Sequence, residues 1–426
     1  MTSSQTKLVF LAALRQQPDF SPLHSLPSLD SSSGRNLLLW LDRSGLALPF
    51  LRQLQHHNAA SRLSDSWHLA LSQRMTANAA LTRDMLDEAW RLNSAFSSFG
   101  VAAAVLKGIT LAPDFCDDPA LRHQVDFDFL VEPRQLHHAA DTLRSCGYFA
   151  AHVNDSGETC FLTPLNHIPS HNDDLYTLQR QRQVDLHTSL WEPCPWLPVH
   201  APEDSLKHAR PQNIVGTNYL ALSLEDKFLL QVLHTFRHSF RSWIRVSWLL
   251  EIGKCMYNQR HNDPLWNRVI ARAGSKHLTK CIFAFVLGLA TRLFAAPIPE
   301  ALCGYSADAL SLPLCAWLDH FALDWVTSDW PGSLNNLFLT SEFIPDPGLR
   351  AQYWRSRLLP RKAQTSLGNV QPSNKSNFLR FQAARANYVA HRAAVHLKDI
   401  ATFPVQLFRW KRALDSCRRL RFDQHC

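Results

Sequence analysis

The sequence predicts a mixed α/β (α+β) fold: a small mixed-sheet core flanked by N- and C-terminal helical lobes. Three observations carry that expectation. Only 14 of 426 residues are glycine, with 46% apolar and 19% charged residues, which describes a folded chain leaning towards helix. Between about residues 100 and 192, short strand-like runs alternate with a helical pattern and small loops, as in a sheet with helices laid against it. On either side of that stretch apolar residues recur at helical spacing. The length has room for two or three domains. We divide it into an N-terminal helical region (1–69), the core (70–195), a helical domain (196–345) and a basic helical C-terminal region (346–426).

Residues 1–60 read as helices broken by a Pro/Ser-rich loop at 18–34. A long amphipathic helix over 64–98 follows from Leu81, Met85, Ala89, Leu92 and Phe96, with Ser64 at its N-cap and Gly100 as its terminator. Residues 101–106 read as a strand that ends at Lys107-Gly108, followed by a turn or short helix. Residues 125–131 form a second strand. Residues 133–145 form a helix, with proline at its start and Gly147 just past its end. The runs 148–153, 160–165 and 183–187 are extended, and the Pro-rich 192–202 reads as a linker. Ser223-Leu-Glu-Asp226 is a capping-box pattern that opens a helix carrying Leu229, Leu230, Leu233 and His234. Apolar helices continue to about 339, and a Pro/Gly break at 345–348 precedes the basic end. The apolar run 281–291 is expected to be a buried helix, too short to span a bilayer, so no transmembrane segment is expected. The first twenty residues lack a basic leader and a cleavage pattern, which argues against a signal peptide.

The chemistry concentrates in 105–131, VLKGITLAPDFCDDPALRHQVDFDFLV. Alternation along a strand points Asp126 and Asp128 to the same face, about 6–7 Å apart. Two like charges in an otherwise apolar strand call for a cation, and hard oxygen ligands suit Mg²⁺ or Mn²⁺. Asp185, in Gln-Val-Asp-Leu-His, is placed to add a third carboxylate from a neighbouring strand. Gly108 at a strand end allows close approach of a phosphate to the backbone, with Lys107 as a point charge and Thr110 as a hydroxyl donor. Arg122 is a candidate to orient Asp126 or to grip a triphosphate. His187 shares the face of Asp185 and is placed to support a ligating carboxylate. His234 and His238 have the i, i+4 spacing of a metal pair but no acidic partner, and are read as packing residues. His167 and His171 with Asp173 and Asp174 read as a polar loop, and the tryptophans at 191, 196, 243 and 248 as core or interface residues.

Together, Leu106-Lys107-Gly108, Arg122, Asp126-Phe127-Asp128-Phe129-Leu130-Val131 and Val184-Asp185-Leu186-His187 resemble the nucleotidyltransferase superfamily of DNA polymerase β type. In particular they resemble an uncharacterised bacterial branch found beside peptide-modification and exopolysaccharide genes. Weaker similarity continues through Leu222-Ser-x-Glu-Asp226, His234, Trp248-x-x-Glu251 and Arg357-Leu-Leu-Pro360. The resemblance implies a nucleotidyltransferase core with Asp126, Asp128 and Asp185 as metal ligands and catalytic carboxylates. It implies that Lys107, Gly108, Thr110 and Arg122 bind the nucleotide, with an NTP as substrate. This chain departs from the superfamily in having Gly108-Ile109 where Gly-Ser or Gly-Gly is usual, and Glu251 where the branch tends to have Asp.

The expected reaction is metal-dependent transfer of an NMP group from an NTP to a hydroxyl or phosphate acceptor: a small molecule, a peptide or protein, or a nucleic acid end. The alternative is a non-catalytic scaffold on the same fold that binds a biosynthetic partner. Ten scattered cysteines with no Cys-x-x-Cys pair argue against a zinc site or disulfide framework and point to a cytoplasmic setting. The net charge of +8 is uneven: from Arg350 onward there are sixteen Lys and Arg against three Asp. A tail of that charge suits an acidic partner, an anionic membrane surface or nucleic acid, or is a solvated helical face.

Overall fold

A computed structural model of the chain describes residues 3–153, 159–164, 175–176, 181–191, 194, 196–240, 244–327, 334–358 and 375–423. It falls into two compact units, Met1–Pro193 with Val199–Ala309, and Cys194–Pro198 with Leu310–Cys426. The His167/His171 loop, Trp243 and the Pro360 end of the Arg357 motif lie outside the described residues, as does part of the 192–202 linker.

The first unit begins with α1 (Ser3–Ala13), α2 (Ser32–Ser44), α3 (Ala47–His56) and the long α4 (Asp65–Ser98). Ser64 takes the N-cap position of α4, and Gly100 turns the chain out of it with φ +68°. Then come β1 (Ala103–Val105), β2 (Asp126–Val131), α5 (Leu136–Ser145), β3 (Phe149–Val153), β4 (Thr159–Leu162) and β5 (Gln183–His187). A short α6 (Ser205–His208) and the hairpin β6 (Arg210–Ile214) and β7 (Thr217–Ala221) lead into α7 (Leu224–Phe240), α8 (Val246–Asn258), α9 (Asp263–Ala273), α10 (His277–Phe294) and α11 (Glu300–Ser306).

The strands form one mixed seven-stranded sheet in the order β3-β4-β5-β2-β1-β7-β6. Parallel pairing joins β2 to β5 and β1 to β7, and the remaining pairs are antiparallel. The α+β expectation is met. The hairpin is an addition, since residues 196–345 read as purely helical. Its turn places Val215 and Gly216 at φ +49° and +83°, the paired positive values of a two-residue hairpin turn.

The two faces of the sheet have different chemistry. On one, Val105, Phe127, Phe129, Val131, Val184, Leu186 and Phe161 pack against the α4 stripe Leu81, Met85, Ala89, Leu92 and Phe96, and against Ala139, Ala140 and Leu143 of α5. The rings of Phe96 and Phe129 meet edge to face at 5.1 Å. On the other face a smaller cluster of Ala104, Leu106, Leu130, Leu190, Leu222 and Leu230 seats the start of α7. Strand periodicity puts Asp126, Asp128 and Asp185 on this second face.

The predicted apolar run at 281–291 lies within α10, which is 18 residues long. By length and composition α10 meets the threshold for a membrane span, and 61% of it is buried inside the protein. The second unit contains α12 (Leu312–His320), α13 (Ala322–Thr327), α14 (Leu334–Glu342), α15 (Pro347–Leu358) and the 49-residue α16 (Lys375–Asp423). Phe338 of α14 stacks on Trp410 of α16 at 5.5 Å with the rings nearly parallel.

Candidate metal centre

Because β2 and β5 run parallel, their register sets Asp128 directly opposite Asp185 and Asp126 opposite Gln183. Asp126, Asp128 and Asp185 each bring a carboxylate oxygen to within 4.8 Å of the other two. Lys107, at the end of β1, lies beside them in extended backbone, with its ammonium 3.2 Å from Asp128 Oδ1. His187 Nε2 lies 2.9 Å from the same oxygen. On the far side Gln183 Nε2 donates to Asp185 Oδ2 at 2.8 Å.

These contacts divide the three acids. Burial would raise Asp128, but the Lys107 charge and the His187 hydrogen bond outweigh it and hold the carboxyl far below the usual range. Asp126 is raised, first by burial and then by the Asp128 charge. Asp185 is pushed up to about 6 by burial and then by Asp128. Lys107 itself is held above its ordinary value: burial works against the ammonium, and Asp128 and then Asp126 overcome it. The cluster thus contains more carboxylate than one lysine neutralises. An all-oxygen donor set with two acids in want of a counter-charge fits Mg²⁺ or Mn²⁺, which bind oxygen at about 2.1 Å.

Gly108 has φ +75°, and a Cβ there would fall 2.2 Å from Gln124 Nε2. Gln124 in turn donates to the Asp126 carbonyl at 2.8 Å, so the glycine turn is fitted against the entrance to β2. Ile109, which replaces the usual serine or glycine, is buried in the apolar cluster under the sheet. Thr110 is fully buried, and its hydroxyl donates to the Lys107 carbonyl at 3.4 Å. Arg122 pairs with Glu251 of α8 at 3.1 Å, both largely buried, and the second Glu251 oxygen accepts from Gln231 of α7 at 2.9 Å. The structure therefore gathers Lys107, Asp126, Asp128 and Asp185 into one cluster, with Gly108 beside it. It turns Thr110 inward and couples Arg122 to the helices.

Sequence reasoning missed Gln124 and Gln183. Gln183 was accessible to it, since it stands two residues before Asp185 on the same face. The rings of His234 and His238 meet Trp248 edge-on and tilted, at 4.5 and 4.8 Å. His234 is held well below its ordinary pKa, by burial first and then by Lys107, which keeps a second positive charge away from the lysine.

No curated protein and no solved structure matches the chain. Residues 31–295, from the start of α2 through α10 and so spanning the whole sheet, match the family described as uncharacterised nucleotidyltransferase, and the chain belongs to that family.

Proposed function

We propose that this protein is a metal-dependent nucleotidyltransferase that moves an NMP group from an NTP to a hydroxyl or phosphate acceptor. The observation that carries the reading is the convergence of Asp126, Asp128 and Asp185 from two parallel strands beside Lys107 and Gly108. Asp126, Asp128 and Asp185 would hold Mg²⁺. A metal held there would supply positive charge to the phosphates for attack at the α-phosphorus. The Lys107 ammonium, beside Asp128, would meet the triphosphate. The positive-φ turn at Gly108, with the Gln124 amide where a Cβ would stand, fixes the backbone that presents Lys107 to the cluster. Asp185, with its raised pKa, is suited to accept the acceptor's proton as the new oxygen–phosphorus bond forms. The bond to the bridging oxygen breaks in that step, and pyrophosphate leaves with the electron pair.

Calorimetric titration with each Mg²⁺·NTP, with pyrophosphate release as the catalytic readout, tests this reading. Wild type binds, and an Asp126→Ala/Asp128→Ala double variant does not. If both fail to bind every nucleotide, the enzyme reading is wrong and the fold serves as a partner-binding scaffold.

A further inference from the structure

A second cavity lies in the first unit, a cleft of about 490 Å³ between the end of α1 and α3 on one side and residues 115–123 with α8 on the other. Its volume is that of a small-molecule site. None of Lys107, Gly108, Asp126, Asp128 or Asp185 lines it. Its walls carry Arg15, Arg52, Arg122, Arg245 and Lys254 against only two carboxylates, Asp117 and Glu251. Both acids are already engaged: Asp117 with Lys254 at 2.9 Å, and Glu251 with Arg122 and Gln231.

Arg245 is the informative residue. Its Nη1 donates to the His123 carbonyl at 3.0 Å, while its Nε is buried with no acceptor. The guanidinium lies so close to the loop after α2 that a Cβ on Gly45 would meet Nε at 2.4 Å. Burial, and then repulsion from Arg122, lower its pKa to about 10. A buried cation beside another cation, with a donor left over, is costly unless a counter-ion arrives. An oxyanion in the cleft supplies the opposing charge. The rest of the lining includes Leu14, Pro49, Phe115 and Leu250, which suits an organic body rather than a bare ion. Arg122 stands in the cleft wall only four residues before Asp126, so the cleft adjoins the metal centre without containing it.

We propose that this cleft binds the second substrate, a small molecule with an apolar body and a phosphate or carboxylate group held by Arg245 and Arg52. The proposal rests on the nucleotidyltransfer reading above, in which the nucleotide occupies the carboxylate cluster.

The test titrates the full-length protein with two probes: inorganic phosphate, and α,β-methylene analogues of the four NTPs with Mg²⁺. The variants are Arg245→Gln, Arg52→Gln and Asp126→Asn/Asp128→Asn, each checked for folding by circular dichroism. The exposed Arg52 provides a variant that leaves the core untouched. Phosphate is expected to bind wild type and the Asp variant alike and to weaken about tenfold in either Arg variant, the loss of one charge-assisted contact. Nucleotide binding is expected to vanish in the Asp variant and to persist in Arg52→Gln. Phosphate affinity unchanged in both Arg variants would overturn the site. So would phosphate displacing the nucleotide analogue, which would place the triphosphate in the cleft. Arg-dependent phosphate binding with no nucleotide binding at all would sink the nucleotidyltransfer reading alone.

Discussion

Asp128 accepts from Lys107 and His187 on a single oxygen, and that double contact separates it from its two neighbours. The pH dependence follows from the separation. A carboxyl whose pKa is raised on folding keeps its proton longer in the native state, so Asp126 and Asp185 subtract stability as pH rises above the ordinary carboxylate pKa, in the case of Asp185 through about 6. Asp128, lowered on folding, adds stability above the ordinary carboxylate range and loses it only on acidification. Metal relieves the first two and must displace their protons. Mg²⁺ is therefore expected to raise the Tm of the EDTA-treated protein more at about pH 7.5 than at about pH 5. Asp185→Asn is expected to narrow that difference, and equal shifts at both pH values would count against a metal held by these acids. Gly108 gives a second prediction. Alanine there meets both a left-handed φ and the Gln124 amide, and should cost about 1–3 kcal/mol in urea unfolding. Adding Gln124→Ala should recover the steric part and leave the backbone part.

Among the elements, α7 has the most to hold in place, since it carries Gln231 towards Glu251 and covers the carboxylate face. Its Asp226 is fully buried and paired twice with Arg272 of α9, at 2.7 and 2.8 Å, while Arg272 also reaches Asp204 at 2.6 Å. The capping box read at Ser223–Asp226 is thus half used. The serine accepts from the Asp226 amide at 3.4 Å, and the acid serves the interhelix clamp instead. Arg272→Ala leaves a buried carboxylate without its partner and should cost about 3–5 kcal/mol by chemical denaturation. Arg272→Ala/Asp226→Asn should be less damaging than the sum of its parts. The elements differed in how openly the sequence declared them. α4 and β5 were legible because each alternates buried and exposed positions with a clear period, and β2, buried on both faces, because its apolar run is interrupted by the Asp-x-Asp alternation that gave the site its orientation. β6 was not, because Arg-Pro-Gln-Asn-Ile at a sheet edge has neither alternation nor a β-branched run, and proline is tolerated only at such an edge. Arg245 was equally hidden, since its contact with His123 spans 122 residues.

For the molecule as a whole, the metal centre and all of the family match except 194–198 fall within the first compact unit. A chain ending at Ala309 is accordingly expected to keep Mg²⁺·NTP binding in calorimetry, whatever the basic 310–426 unit contributes. Loss of binding in a folded truncation would mean that the second unit supplies part of the nucleotide site. The four regions expected from the sequence were drawn from changes in local pattern. Spatial grouping depends on distant pairings that local pattern does not carry, such as β7 beside β1 across more than 100 residues. Thr110 shows the same limit at small scale: the hydroxyl was visible, but the short helical turn over Gly108–Leu111 decided that it points inward.

The two-sided character of β2 also bears on how this protein tolerates change. Phe127, Phe129 and Val131 answer to α4 and α5, while Asp126 and Asp128 answer to whatever the opposite face binds. Adjacent codons are therefore subject to different pressures, one set by volume and the other by charge. A lineage that lost the chemistry could let 126 and 128 drift while Phe127, Phe129, Leu130 and Val131 stayed apolar, and the fold would outlast the activity. Across 126–129, the parity of a substituted position separates damage to folding from damage to function.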